Sequence, residues 1–151
     1  MHSPTTRQPS AARRWAGWIL SGLVIALLLL DAGVKLVPLQ PALDAMPQLG
    51  FRRSPELVRA LGGLLLVSTI LYANPRSSSW GAILLTGYLG GTVAVHLRLD
   101  HPLHSHVLFG VYLGVLAWAG LCLRDSEVWR LFRPGFLGSG PGVADRPESR
   151  E

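Results

Sequence analysis

The sequence predicts an all-α integral membrane protein, and three observations lead to this fold class. Of its 151 residues, 49% are apolar and only 15% are charged, against about 25% charged residues in an average soluble domain. The apolar residues fall into four long segments, each close to the roughly 20 residues that a helix needs to cross a bilayer. These segments are apolar on nearly every face, whereas the helices of a soluble bundle need only one apolar face. We therefore predict a four-helix transmembrane bundle over residues 15–134, because helices satisfy their own backbone polar groups in lipid.

The first predicted helix covers residues 15–37, where the only charges are Asp31 and Lys35. Arg13 and Arg14 precede this segment, as basic residues do in a signal peptide. Its apolar core is long, however, and no small-x-small cleavage site follows it. We therefore expect an uncleaved membrane anchor.

Local signals mark both ends of the second predicted helix, residues 56–73. Ser54 can cap its start, Pro55 suits the first helical position, and Glu56 complements the positive end of the helix dipole. The Asn74–Pro75 pair stops the helix, because the residue before a proline is biased away from helical geometry.

The remaining predicted elements are two helices, one loop and two tails. A tight LDHP connection joins a third helix at residues 79–98 to a fourth at residues 103–123, so these two form a hairpin. Residues 38–54 contain three prolines and no clear period, and are predicted to be a loop over the mouth of the bundle. The polar segments 1–14, which is basic, and 135–151 are predicted to be disordered tails.

The net charge of +5 is interpreted as a signal of membrane orientation. The arginines are scattered between apolar segments instead of forming one basic stripe, so nucleic-acid binding is not expected. Basic residues are more numerous on the side of the bundle that carries both termini, and cytoplasmic flanks of membrane proteins are enriched in Lys and Arg. Both termini are therefore predicted to lie in the cytoplasm.

Polar residues from three helices are predicted to meet at the end of the bundle away from the termini. Asp31 and Lys35 lie four residues apart on one face of the first helix, where an ion pair would lower the cost of charge in lipid. Glu56 and Arg59 lie three residues apart at the start of the second helix, a spacing that also allows an ion pair.

The third helix adds a polar stripe that runs toward the same end. Tyr88, Thr92 and His96 recur every four residues and so share one face, whereas Arg98 points to a different side. A carboxylate is costly in lipid, so we expect a cation within hydrogen-bonding reach of the aspartate that closes the first helix. The expected cations are Lys35, His96 and Arg98. Two interpretations stay open for this cluster: a small binding pocket, or a structural ion pair beside cations that extend to the interface.

Small residues recur at four-residue spacing on the third and fourth helices. Such rows allow the backbones of membrane helices to approach closely, within one chain or between copies. The residues predicted to support close helix contact are Gly87, Gly90, Gly91, Ala94, Gly110 and Gly114.

Few motifs in the chain carry recognisable chemistry. The single cysteine, Cys122, excludes an internal disulfide and a cysteine-rich metal site. His101, His104 and His106 are loosely spaced and bring no second shell of supporting groups, so no metal site is predicted. The sequence has no HExxH, P-loop, GxSxG or dinucleotide-binding fingerprint. Catalytic residues are therefore not assigned, no cofactor is evident, and quinone is kept as a candidate ligand.

Five segments of the chain together resemble one known protein family. The most family-like segment is GYLGGTVAVHLRLDHP at residues 87–102, where a glycine run is followed by His-x-Arg. The other segments are GVKL at 33–36, MPQLGF at 46–51, RALGGLLLVSTIL at 59–71 and WAGLCLRD at 118–125. With these segments the chain resembles the DoxX-like family, small four-helix membrane proteins of bacteria. The resemblance covers residues 19–134 and implies a protein of the bacterial inner membrane.

The resemblance also leaves three hypotheses for function. The family takes its name from a subunit linked to a thiosulfate-to-quinone oxidoreductase, and other members are associated with redox or oxidative-stress systems. An accessory subunit of such a system is the favoured hypothesis. The alternatives are a quinone-interacting oxidoreductase component, and a solute or proton pathway along the polar stripe of the third helix. The resemblance carries no established catalytic residues, so whether the protein is an enzyme stays open.

Overall fold

The computed structural model describes residues 11–99, 108–125 and 128–129, and within these residues the protein is helical with no β-strand. The predicted all-α class is therefore confirmed. The helices are α1 (Ala11–Leu36), α2 (Gln40–Gln48), α3 (Pro55–Ala73), α4 (Ser78–Arg98) and α5 (Leu108–Arg124). The loosely spaced His101, His104 and His106, for which no metal site is predicted, lie outside the described residues, as do residues 1–10 and 135–151 of the predicted tails.

Three of the helices are long and apolar enough to cross a membrane, namely α1, α3 and α4. The fourth long helix, α5, is also apolar but has 17 residues. At about 1.5 Å per residue it covers about 25 Å, slightly less than the roughly 30 Å hydrocarbon core of a bilayer. The predicted fourth helix began at residue 103, and residues 103–107 are not among those described.

A short helix, α2, occupies the segment that was predicted to be a loop. This helix was not predicted from the sequence, because two prolines within nine residues are unusual in a helix interior. Pro41 lies in the first turn, where its missing N–H costs no hydrogen bond. Gly50 follows the helix with φ of 76°, a left-handed conformation that favours glycine. Arg53 then pairs with Asp44 at 2.8 Å, which fastens the chain leading into α3 back onto α2.

The ends of α3 agree with the local signals in the sequence. The Ser54 side chain accepts a hydrogen bond from the backbone N–H of Leu57 at 3.3 Å, and Pro55 opens the helix. The helix ends at Ala73, and the N–H of its C-cap residue Asn74 is bonded to the Ile70 carbonyl. Local capping chemistry therefore sets both ends of this helix.

The four long helices form a ring in which α1 and α4 each pack against both α3 and α5. Neighbours run antiparallel: the backbone of Arg124, at the end of α5, lies against Gly17 near the start of α1. At the other end of the ring, Lys35 of α1 lies against Gly62 of α3. We call these two ends of the ring the Arg124 end and the Lys35 end.

The interior of the ring is filled by a continuous core, and large apolar side chains also cover the outside. Leu65, Leu85 and Leu121, from three different helices, are fully buried or nearly so. Outward-facing residues such as Ile70 and Val115 are more than half exposed. An apolar exterior around a packed core is the pattern expected of helices surrounded by lipid.

The predicted glycine contacts need correction on α4. An added Cβ at Gly87, Gly90 or Gly91 would meet no atom of the described residues within 4 Å, and Ala94 is exposed. These residues face outward because α4 turns its other side, with Ala82 and Leu85, toward the core. On α5, a Cβ at Gly110 would lie 3.0 Å from Val93 and one at Gly114 would lie 3.9 Å from Leu89. The closest helix approaches lie at Gly17, Gly62, Gly81 and Gly120.

Candidate functional site

The Lys35 end contains the ion pair that the spacing of α1 predicted. The Lys35 Nζ donates to Asp31 Oδ1, and the two residues are four apart on one helix. The Lys35 side chain is 19% exposed and that of Asp31 is 47% exposed. Lys35 packs against Gly62, where an added Cβ would lie 2.8 Å from the Lys35 Cβ. The pair therefore lies at the contact between α1 and α3 with its carboxylate on the more open side.

The polar stripe of α4 begins at Tyr88. Tyr88 is half-buried and packs against the core. Thr92 and His96 are half-buried like Tyr88, so the three residues share one partly covered face. The Thr92 hydroxyl donates to the Tyr88 carbonyl at 2.9 Å, which satisfies it within its own helix.

The other predicted members of the cluster lie apart from Asp31. Glu56 and Arg59 are exposed and do not pair; Glu56 instead accepts a hydrogen bond from Ser54 at 2.8 Å. Arg98 is exposed and its guanidinium lies near the turn at Gly50, 3.5 Å from where a Cβ would stand.

The aspartate is satisfied by the nearest of its three expected cations. Lys35 is one helical turn away, whereas α4, which carries Arg98, faces α1 across the ring. Among the described residues, no three His, Cys, Asp or Glu side chains come together in a way that could hold a metal ion.

A second polar cluster, which the sequence analysis did not identify, lies at the Arg124 end. The Arg124 guanidinium carbon lies 5.0 Å from the centre of the Trp18 ring and 4.7 Å from that of the Tyr72 ring. Its Nη2 donates to the Tyr72 backbone carbonyl. Each cation–π contact of this kind contributes about 0.5–2 kcal/mol. The guanidinium therefore joins α1, α3 and α5 through two aromatic rings.

Tyr72 extends this cluster into the core. Its side chain is fully buried, and its hydroxyl donates to the Ala117 carbonyl of α5 at 2.8 Å. Because that bond uses the phenolic proton, the Ser21 hydroxyl of α1 is the donor in the 3.1 Å bond between Ser21 and Tyr72. Gly120 makes room for the arrangement, since an added Cβ there would lie 2.6 Å from Ser21 Oγ.

A second arginine is held in a similar way at the same end. The Arg13 Nη2 donates to the Cys122 carbonyl at 3.0 Å, and its guanidinium lies 4.8 Å from the centre of the Trp129 ring. Arg124 Nη1 is buried and has no hydrogen-bond partner among the described residues. Each of the two guanidinium groups is therefore held by a hydrogen bond to a backbone carbonyl and by aromatic contact.

The sequence alone offered one weak signal for this cluster. Arg124 closes an apolar segment, where a cation is expected to interact with the carbonyl end of the helix. Its aromatic partners, Trp18 and Tyr72, are distant in the sequence, and they become neighbours only through the order of helices in the ring.

An apolar groove of about 710 Å³ lies between α4 and α5 on the outer surface. At its wall, the Trp118 Nε1 donates to the Thr86 hydroxyl at 2.9 Å. Residues that line the groove include Leu89, Gly90, Val93, Gly110, Gly114 and Cys122. The glycines lower the groove floor, so the groove has room for a flat or chain-like apolar molecule.

Comparison with known proteins gives a family and no individual relative. The model of the DoxX-like family matches residues 19–120 of the chain. No significant match is found among curated proteins or among solved structures.

Proposed function

The chain belongs to the DoxX-like family, and from this premise we propose that it is a four-helix protein of the bacterial inner membrane that serves as an accessory subunit of a redox or stress-response system. Three helices of spanning length and an apolar exterior support the membrane location. In this proposal α5 is the fourth span, and both termini lie in the cytoplasm as the basic flanks predict.

The proposal is carried by the outward-facing row of small residues on α4. Gly87, Gly90, Gly91 and Ala94 are exposed, and within the part of the chain that the structure describes no atom lies within 4 Å of where a Cβ on the glycines would stand. Small residues on a membrane helix let a second helix approach closely. We assign this face to a helix of the partner subunit.

The packed interior makes a solute or proton pathway the least favoured hypothesis. Val24, Leu65, Leu85 and Leu121 fill the middle of the ring and are fully or almost fully buried. The Thr92 hydroxyl, which a pathway along α4 would use, is already bonded within its own helix. The polar stripe therefore ends at the core and does not continue through it.

Quinone binding is a second candidate function, favoured by the groove between α4 and α5. Its volume of about 710 Å³ falls within the roughly 300–1,000 Å³ of typical small-molecule sites. The bonded pair of Trp118 and Thr86 supplies an aromatic and polar edge to an otherwise apolar wall. A quinone head group and its tail fit this combination of surfaces.

The test is purification of the full chain from its own membranes in mild detergent, followed by native mass spectrometry and absorbance spectroscopy. The proposal expects one partner polypeptide at fixed stoichiometry, and loss of that partner when Gly91 is replaced by Leu. The matched control is Gly63→Leu, on α3, where an added Cβ also meets no atom of residues 11–99, 108–125 and 128–129 within 4 Å. Self-association without a partner would contradict the accessory role. Quinone bound to the partner-free protein would favour the second candidate.

A further inference from the structure

We propose that a groove at the start of α1 binds the head group of an anionic phospholipid. The groove encloses about 470 Å³, and its lining includes Ala11, Arg14, Trp15 and Trp18. These positions are spaced by three or four residues or adjoin one another, so they form one face of the first two helical turns. The face therefore combines one cation with two indole rings.

The charge on this face is uncompensated within the helix. α1 has no acidic residue in its first turn, and no Asp or Glu precedes Asp31 in the sequence. Arg14 is exposed, and the positive end of the helix dipole adds to its field. The Trp18 ring that lines the groove is itself held in place by Arg124, whose guanidinium carbon lies 5.0 Å from the ring centre. The charge of this face is complementary to a phosphate that carries a net negative charge.

The position of the groove along α1 fits a lipid head group. Trp15 is 71% exposed and Trp18 is 43% exposed, although both belong to a helix long and apolar enough to span a membrane. Indole rings at the ends of such helices lie at the boundary between hydrocarbon and water, where lipid phosphates are found. The inference thus rests on the membrane location in the proposed function, but on neither the orientation nor the accessory role.

Charge complementarity decides between lipid classes. A zwitterionic head group carries its own cation, which Arg14 would repel, whereas an anionic phosphatidylglycerol head group carries none. The tryptophans contact the upper part of any lipid chain and are indifferent to its head group. The preference for an anionic lipid is therefore expected to depend on Arg14, and the general affinity for lipid on Trp15.

The test uses native mass spectrometry of the full chain in detergent, titrated with phosphatidylglycerol or with phosphatidylcholine of the same acyl chains. The chain is expected to retain phosphatidylglycerol in preference, and Arg14→Gln to weaken that binding about fivefold, the usual effect of one basic residue near a charged membrane surface. Arg14→Lys should stay within about twofold of the original chain, because it keeps the charge. Trp15→Leu should weaken both lipids alike.

The matched control is Arg76→Gln, because Arg76 is exposed at the same end of the ring but lies outside the groove. An equal loss in both glutamine variants would show diffuse attraction to basic surface and would overturn the site. Equal retention of the two lipids by the original chain, or displacement of phosphatidylglycerol by inorganic phosphate, would overturn it as well. A chain that is absent from the membrane fraction would instead contradict the proposed membrane location.

Discussion

Removing the Tyr72 hydroxyl tests whether the buried hydrogen bonds at the Arg124 end stabilise the fold. The Tyr72→Phe substitution keeps the ring, and with it the stacking on Arg124, but removes the bonds to Ser21 and Ala117. The Ala117 carbonyl retains its own helical hydrogen bond within α5. The Ser21 hydroxyl is left buried and must turn to a backbone carbonyl of the preceding turn.

The expected loss follows from these two bonds. A buried hydrogen bond contributes about 1 kcal/mol in soluble proteins and about 0.6 kcal/mol in membrane helices. Two bonds together give a loss of about 1–2 kcal/mol in the free energy of unfolding. Tyr112→Phe is the matched control, because Tyr112 is 57% exposed on α5 and its substitution should change that free energy by less than about 0.3 kcal/mol.

Reversible unfolding in mixed micelles, with increasing denaturing detergent, measures both variants. A cycle with Ser21→Ala adds a second check, since residues that share a bond lose less together than the sum of their single losses. Equal stability of the Tyr72 and Tyr112 variants, or strict additivity with Ser21→Ala, would refute the assignment of these bonds as stabilising.

Three further predictions concern Arg124, two glycines of α4, and the ion pair of α1. Arg124→Lys should lower the free energy of unfolding by about 1–2 kcal/mol in the same unfolding assay, because an ammonium does not stack between two rings; an unchanged midpoint would contradict the stacking. Gly81→Val should cost about 3 kcal/mol or abolish the folded yield, because a Cβ there would lie 2.6 Å from backbone carbon of α3. Gly91→Val should be tolerated. Equal folded yields of the Gly81→Val and Gly91→Val variants on size-exclusion chromatography would contradict this prediction. Asp31→Asn combined with Lys35→Gln should be no less stable than the poorer single variant; additive losses in thermal denaturation would rule out a coupled pair.

Features that depend on neighbouring residues could be predicted from the sequence. The start of α3 follows from the cap at Ser54 and the proline after it. The Asp31–Lys35 pair follows from four-residue spacing, which brings side chains together on any helix. α2 was not predicted because proline usually interrupts a helix. Pro41 and Pro47 therefore indicate a loop as long as their positions within the helix are unknown.

Features that depend on which helix faces which could not be predicted. A helix surrounded by lipid is apolar on all sides, so the pattern of apolar residues does not show its inward face. Gly91 was expected at a helix contact for this reason and lies on the outside, whereas Gly120 lies in the closest packing. The contacts of Arg124 with Trp18 and Tyr72 could be predicted only if the order of the helices around the ring were known. Residue spacing and composition do not give that order.

The shared bonds of Tyr72 have a consequence for how the chain is assembled during synthesis. The ribosome releases α1 and α3 well before α5, so the tyrosine is first available with Ser21 as a partner and without Ala117 or Arg124. The junction is completed when α5, the last long helix, packs against α1 and α3, and that step gives the phenolic proton its acceptor. Packing of α5 is therefore the step that joins three helices through one tyrosine.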